Sequence, residues 1–123
     1  MRLDKLLKAT VAALEDIKAR DIVVLDVRKM TSLFDKIVIV TADSTRQASS
    51  LSRNVQEKLK ALGATIQGVE GEQVGEWILV DLGAVVVHIM QPAIRQHYNL
   101  EELWTPRRAT RRRTRALTES TVQ

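Results

Sequence analysis

Cysteine is absent from this chain of 123 residues, and so are long apolar runs. Without cysteine, disulfide bonds and thiolate metal sites are excluded, and a reducing cytoplasmic environment is expected. The longest apolar stretches are strand-sized, far short of the roughly 20 residues that a membrane-spanning helix needs. The chain has only two histidines, so it offers no cluster of histidine and cysteine to hold a metal. We therefore expect no metal, no cofactor and no membrane association.

The positive charge of the chain is concentrated at its end. Residues 105–123 hold six of the 19 basic residues and one of the 15 acidic residues, which leaves residues 1–104 with a net charge of −1. This terminal segment has few apolar residues to offset the conformational entropy lost on ordering. The sequence predicts one domain at 1–104 and a disordered arginine-rich tail at 105–123. Such a tail is either simply solvated or makes salt-sensitive, non-specific contacts with RNA phosphates.

The first half of the domain mixes helical and strand patterns. Apolar residues at helical spacing predict an amphipathic helix over 3–19, and β-branched runs predict strands at 22–27 and 36–41. The second run is almost wholly apolar, which favours a strand buried on both faces. A second helix is predicted between Ser44, an N-cap residue, and Gly63, which suits a left-handed C-terminal cap.

The second half is richer in strands. Runs at 65–69, 77–82 and 85–90 predict three strands, and Gly83 suits the tight turn of a hairpin between the last two. Pro92 is well placed as the first residue of a closing helix. The element order α-β-β-α-β-β-β-α predicts an α/β (α+β) fold, a small mixed β-sheet flanked by helices.

Side-chain alternation divides the strand at 77–82 into two faces. Ile78 and Val80 suit a face covered by helices, whereas Trp77, Leu79 and Asp81 share the opposite, open face. An aromatic anchor with polar residues at its rim is typical of a protein-interface hot spot. A strand tryptophan is also a common core residue, so the pattern alone leaves both interpretations open.

The neighbouring strand and turn supply further candidates. His88 and Met90 share one face of their strand, and the only histidine companion of His88 is His97. We expect a hydrogen-bonding role for His88, not catalysis or metal ligation, and an adaptable apolar contact from Met90. An acidic cluster surrounds the hairpin and either is solvated or complements a basic partner. Its members are Glu70, Glu72, Glu76 and Asp81.

Five stretches, taken together, carry a resemblance to a known family. They are DIVVLDV (21–27), VIVTADSTRQ (38–47), VEGEQVGEWILVDLG (69–83), VVVHIM (85–90) and YNLEELW (98–104). In this order and spacing, over about residues 3–104, the chain resembles the ribosomal silencing factors, also called Iojap-like proteins. The resemblance implies a small domain similar to nucleotidyltransferases but without their catalytic residues.

The resemblance also implies a binding function. Proteins of that family dock on the large ribosomal subunit through its protein fourteen, block joining of the small subunit when nutrients are short, and are linked to large-subunit assembly; homodimers occur. We therefore predict a non-enzymatic translation repressor, with ribosomal RNA as a further contact for the tail. The predicted partner-binding residues are Glu70, Trp77, Leu79, Asp81, His88 and Met90.

Two alternatives remain at this point. The first is a nucleotidyltransferase-like enzyme that binds a nucleotide at Ser44, although no following acid pair is present to hold magnesium. Where the family usually has glycine in the turn before this helix, the chain has Ala42. Alanine argues against a positive backbone φ there. The second alternative is a generic RNA-binding chaperone that acts through the arginine-rich tail.

Overall fold

The structure of this protein is a computed structural model that describes residues 1–104. The predictions made for 105–123 lie outside these residues. The helices and strands, in chain order, are α1 (Leu3–Asp16), β1 (Arg20–Asp26), β2 (Lys36–Thr41), α2 (Thr45–Ala61), β3 (Gly68–Glu70), β4 (Trp77–Asp81), β5 (Val85–Met90), α3 (Pro92–Tyr98) and α4 (Leu100–Trp104).

The five strands form one mixed sheet with the order β1-β2-β5-β4-β3. The β2 and β5 strands run parallel, and the other three pairs are antiparallel. The parallel pair needs a long crossover, and α2 lies within that crossover. The predicted mixed sheet flanked by helices is confirmed, and the two most apolar runs form its central strands.

One face of the sheet carries α1 and α2. Their apolar stripes meet the alternate residues of β2, β4 and β5 in a single continuous core. At the start of α2, the Ser44 hydroxyl oxygen accepts the Gln47 backbone N–H at 3.0 Å, and the Gln47 side-chain oxygen accepts the Asp43 N–H at 2.6 Å. Gly63 follows the helix with φ +92°. Both predicted ends of this helix are therefore confirmed.

Several boundaries differ from the prediction. The first helix ends at Asp16, not at residue 19, because Lys18 adopts φ +61° and turns the chain into β1. The third strand starts at Gly68, not at residue 65, because Gly68 pairs with Asp81, the last residue of its partner strand β4. Ala42 is absent from the described non-glycine residues with positive φ, as its alanine side chain led us to expect.

The opposite face of the sheet is not wholly open, which corrects the sequence prediction. The predicted closing helix is α3, and after a turn at Asn99, with φ +43°, residues Leu100–Trp104 form a further helix, α4. Arg95 of α3 donates to the Thr41 hydroxyl at 2.8 Å and to the Asp21 carbonyl at 2.6 Å. The two helices close a second, smaller core over β2 and the end of β5. Its fully or largely buried members are Val27, Ile37, Ile39, Met90 and Leu100.

Candidate partner-binding face

Alternate residues of β4 face opposite sides of the sheet, as predicted. Ile78 and Val80 are fully buried under the helices, whereas Trp77, Leu79 and Asp81 are each partly exposed on the other side. The C-terminal helices cover this part of the sheet only in part: Trp77 packs against the second core, and all three residues keep some exposed surface. We call the side of the sheet formed by Trp77, Leu79 and Asp81 the β4 face.

Trp77 is half-buried and has contacts on several sides. Its indole N–H donates to Nδ1 of His88 at 3.0 Å, and its ring centroid lies 5.0 Å from that of Tyr98 on α3. Met90 stands directly opposite it on β5. The indole is therefore supported by its own chain without being sealed beneath a helix.

His88 is buried, with 9% of its surface exposed. Burial lowers the pKa of His88 to about 4, so the imidazole is neutral at physiological pH. Since an indole N–H can only donate, Nδ1 of His88 must be the unprotonated nitrogen, and the ring proton sits on Nε2. A hydrogen-bonding role for His88 fits this geometry, but the bond is made inside the domain and not across a partner contact.

Met90 does not supply the exposed apolar contact that the sequence suggested. Its side chain has 0% exposure and belongs to the core beneath the C-terminal helices, with Ile39 and Leu100. The reason is tertiary: α4 returns over the end of β5, a packing that strand alternation alone does not reveal. Met90 is therefore a floor for Trp77, not a surface that a partner could touch.

The predicted acidic cluster is divided by the structure. Glu70 is exposed at the end of β3, directly opposite Leu79, and thus lies at the edge of the β4 face. One oxygen of Asp81 accepts the Gly83 N–H at 2.8 Å, which stabilises the hairpin turn. Glu72 instead lies near α2, with one carboxylate oxygen 3.4 Å from the hydroxyl of Ser52. Glu76 is exposed just before β4 begins. Glu70 and Asp81 are the members of the cluster whose strand positions place them on the β4 face, and we call them its acidic rim.

A glycine turn holds the start of β4 in place. Gly71 adopts φ +88°, and a Cβ at this position would overlap the carbonyl oxygen of Trp77. Gly75 also has positive φ, and a Cβ there would lie 2.5 Å from the Thr45 side chain on α2. The turn between β3 and β4 is thus packed closely against both the sheet and the helix, so the backbone of Trp77 is well fixed.

Sequence reasoning missed Tyr98 as a member of this region. Its side chain is 52% exposed and its ring contacts both Trp77 and His97. The sequence placed Tyr98 on the closing helix, but no periodic pattern links that helix to the side of the sheet on which Trp77 lies. Only the course of α3 brings the two rings together.

The nucleotide alternative gains no support from a polar cleft beside β1 and α3. This polar cleft of about 440 Å³ is lined in part by Arg20 and Arg95. Both guanidinium groups already face carboxylates, Arg20 with Asp43 at 2.9 and 3.0 Å and Arg95 with Glu101 at 3.1 Å. Cations that are already paired have little positive charge to offer a phosphate.

Two features are absent from residues 1–104. Within this range no group of three or more histidine, cysteine, aspartate or glutamate side chains is placed to hold a metal ion. None of the helices in the same range combines the length and apolar character needed to cross a membrane.

The chain matches a known protein family. The family model described as "Ribosomal silencing factor during starvation" matches residues 1–123. The chain belongs to the ribosomal silencing factor family. The sequence resemblance is therefore confirmed. The family's description names a factor that silences the ribosome during starvation.

Individual members of the ribosomal silencing factor family resemble the chain over most of its length. It is 50% identical to the ribosomal silencing factor of Chromobacterium violaceum over 104 residues, 85% of each chain. It is 34% identical over 100 residues to the mouse protein named mitochondrial assembly of ribosomal large subunit protein 1, covering 79% of this chain and 44% of the mouse protein. A crystal structure of a Chromobacterium violaceum protein, 44% identical, superimposes with a TM-score of 0.83 and covers 98% of both chains.

Proposed function

We propose that this chain silences translation by docking on the large ribosomal subunit, through its protein fourteen, and thereby blocking the joining of the small subunit when nutrients are limiting. Membership of the ribosomal silencing factor family supports a role on the ribosome. The name of the mouse relative, which refers to assembly of the large subunit, supports the choice of subunit. The chain would act in the cytoplasm as a steric block, without catalysis.

The observation that carries the docking proposal is a partly exposed aromatic pair, Trp77 on the β4 face and Tyr98 beside it on α3. Trp77 and Tyr98 contact each other at 5.0 Å between ring centroids, and both keep part of their surface exposed. Large aromatic side chains dominate interface energetics when they are desolvated by a partner. A supported indole beside a half-exposed tyrosine loses little conformational entropy on binding, because its position is already defined.

The residues around this pair have distinct roles in the proposal. Trp77 is the anchor, and Leu79, two residues further along β4 on the same face, extends the apolar contact surface. Glu70 and Asp81 form an acidic rim that suits a basic ribosomal protein, and such charges steer and orient association more than they tighten it. His88 and Met90 lie beneath the contact and support it, since both are buried.

The first experiment replaces the anchor and a matched residue elsewhere. Trp77→Ala is expected to weaken co-sedimentation with large subunits by about 2 kcal/mol or more, roughly a 30-fold loss of affinity. Trp104→Ala is the matched control, because Trp104 is also half-buried but packs on Phe34 in the second core, with ring centroids 5.6 Å apart. Circular dichroism verifies that both variants remain folded.

A folded Trp77→Ala variant that binds large subunits as well as the wild type would refute the assigned face. A sucrose-gradient profile tests the subunit itself, since the wild-type chain should travel with large subunits and not with small subunits or joined ribosomes. Direct binding to purified protein fourteen, weakened by Trp77→Ala and not by Trp104→Ala, then tests the partner. Binding to naked RNA with equal affinity would instead support a general RNA-binding protein.

A further inference from the structure

The side chain of His88 occupies an unusual position for an imidazole. On its own strand it lies between the buried residues Val87 and Ile89, and across the sheet it stands opposite Leu79 on β4 and Ile39 on β2. An apolar side chain would satisfy this environment at no desolvation cost. A buried polar group is normally retained with a hydrogen-bond partner, and the partner here is the indole of Trp77.

The bond between the two rings has a defined direction. Because the indole N–H is only a donor, His88 must be neutral and must present a bare Nδ1, which lies 3.0 Å from the indole nitrogen. Burial keeps the pKa of His88 at about 4, so this acceptor is available throughout the physiological range. His88 is therefore neutral in the folded domain under physiological conditions.

Without this bond the indole would be held by ring and apolar contacts alone. The ring of Tyr98 lies on one side of it but is itself 52% exposed, and Met90, directly opposite on β5, offers an apolar thioether contact. Neither contact defines the rotation of the indole about its side-chain bonds. A hydrogen bond to a buried strand residue does, because it fixes where the N–H edge points.

We propose that His88 is a positioning residue for partner binding: it accepts the indole N–H of Trp77 and holds the ring in the orientation that the partner meets. This inference rests on the proposed docking function of the β4 face. It assigns to His88 no contact with the partner. Its effect is to remove rotational freedom from the anchor before docking, which lowers the entropy lost in the complex.

A matched pair of substitutions isolates the acceptor. In His88→Asn the side-chain oxygen occupies nearly the position of Nδ1 and can accept the same bond, whereas His88→Leu has nearly the same shape without an acceptor. The indole N–H resonances report the bond directly in a proton–nitrogen NMR spectrum. The chain has two tryptophans, so the resonance of Trp104 is an internal reference.

In His88→Leu the Trp77 indole resonance is expected to shift and broaden while that of Trp104 stays in place. Affinity for large subunits should fall about three- to tenfold, the range set by the entropy of ordering one side chain in the complex. His88→Asn should keep the wild-type resonance pattern and bind within about twofold of the wild type. His88→Val, which also lacks an acceptor and leaves the anchor Trp77 intact, should reproduce the loss and serves if His88→Leu fails to fold.

Four results would overturn the inference. An unshifted Trp77 resonance in His88→Leu would mean that no such bond exists in solution. A shifted resonance with unchanged affinity would mean that indole orientation does not matter for docking. Equal losses in His88→Asn and His88→Leu would assign the effect to the imidazole ring and not to the acceptor. Failure of the wild-type chain itself to bind large subunits would refute the proposed function, and the positioning role with it, whatever the spectra show.

Discussion

The two sides of strand β4 have different environments although their residues alternate along five positions. Ile78 and Val80 lie in a continuous core with helix α2 and have no exposed surface. Trp77 and Leu79 face a side where the covering helices α3 and α4 stop over the neighbouring strands. The first side is fully covered in the folded chain, whereas the second is covered only where the C-terminal helices reach.

This difference suggests that one side of the sheet serves stability and the other serves binding. Complete burial makes the helix-covered side the main source of stability, since buried apolar area is the dominant favourable contribution to folding. The partly covered side retains aromatic and apolar surface with an acidic rim, the composition expected of a contact surface. Substitutions on the two sides should therefore separate stability from binding.

The largest expected effect is on the helix-covered side. Ile78→Ala should lower the free energy of unfolding by about 3 kcal/mol, because a fully buried side chain leaves a cavity beneath α2. Leu79→Ala, one residue along and half-exposed, should cost clearly less stability while weakening large-subunit binding. Urea denaturation measures the first effect and co-sedimentation the second. Equal losses of stability in the two variants would refute this separation of stability from binding.

The next effect depends on pH. Burial lowers the pKa of His88 from its ordinary value of 6.5 to about 4, so below pH 6.5 the unfolded chain binds a proton that the folded chain does not. The stability that depends on neutral His88 is complete above pH 6.5 and is lost as the pH falls towards 4. From pH 7.5 to pH 5 the loss should be about 2 kcal/mol.

The control for this pH dependence is His88→Asn, which has no titrating group at that position and keeps His97. Between pH 7.5 and pH 5 its free energy of unfolding, measured by urea denaturation, should fall by about 2 kcal/mol less than that of the wild type. Identical pH profiles in the variant and the wild type would contradict the buried, neutral state of His88. Asp43, whose pKa is lowered by Arg20, is present in both chains and cancels in the comparison.

A smaller effect concerns the turn that supports the β4 face. Gly71→Ala and Gly63→Ala both place a Cβ on a residue with left-handed backbone, at φ +88° and +92°. Each substitution should therefore lower the free energy of unfolding by about 1 kcal/mol. Only Gly71 also has a neighbour in the way, the carbonyl of Trp77, so its substitution should cost about 1 kcal/mol more. Thermal unfolding of the two variants gives the difference, and equal midpoints would refute the close approach.

The smallest effect concerns the acidic rim. Glu70→Gln should reduce the association rate with large subunits at low salt and leave stability and the dissociation rate nearly unchanged, because rim charges steer encounter. The affinity change should stay below about 1 kcal/mol. Glu57→Gln, at an exposed position on α2 away from the β4 face, is the matched control. Equal rate changes in both variants would indicate a general charge effect.

Much of the fold follows from patterns local in sequence. The alternation that buries Ile78 and exposes Trp77, the cap formed by Ser44 and the left-handed Gly63 each depend on neighbours a few residues away. Such features repeat with the period of a strand or the geometry of a helix end. The end of α1 was missed because the left-handed turn at Lys18 occurs at a residue type that seldom adopts it.

The candidate site was only partly predictable for a related reason. Trp77, Leu79 and Asp81 were placed on the correct side because strand alternation determines this. Met90 was misjudged because its burial depends on α4. Partner binding by any of these residues remains a prediction that the substitutions above test.

By itself the sequence determined the family, the order of helices and strands, and the side of the sheet on which each β4 residue lies. Those properties follow from local periodicity and from the spacing of motifs. Only the tertiary structure decided that Tyr98 meets Trp77, that His88 accepts the indole N–H and that Met90 is covered. The physical reason is that two short helices, held by Arg95, fold back over distant strands, and contacts of that range leave no periodic trace in the chain.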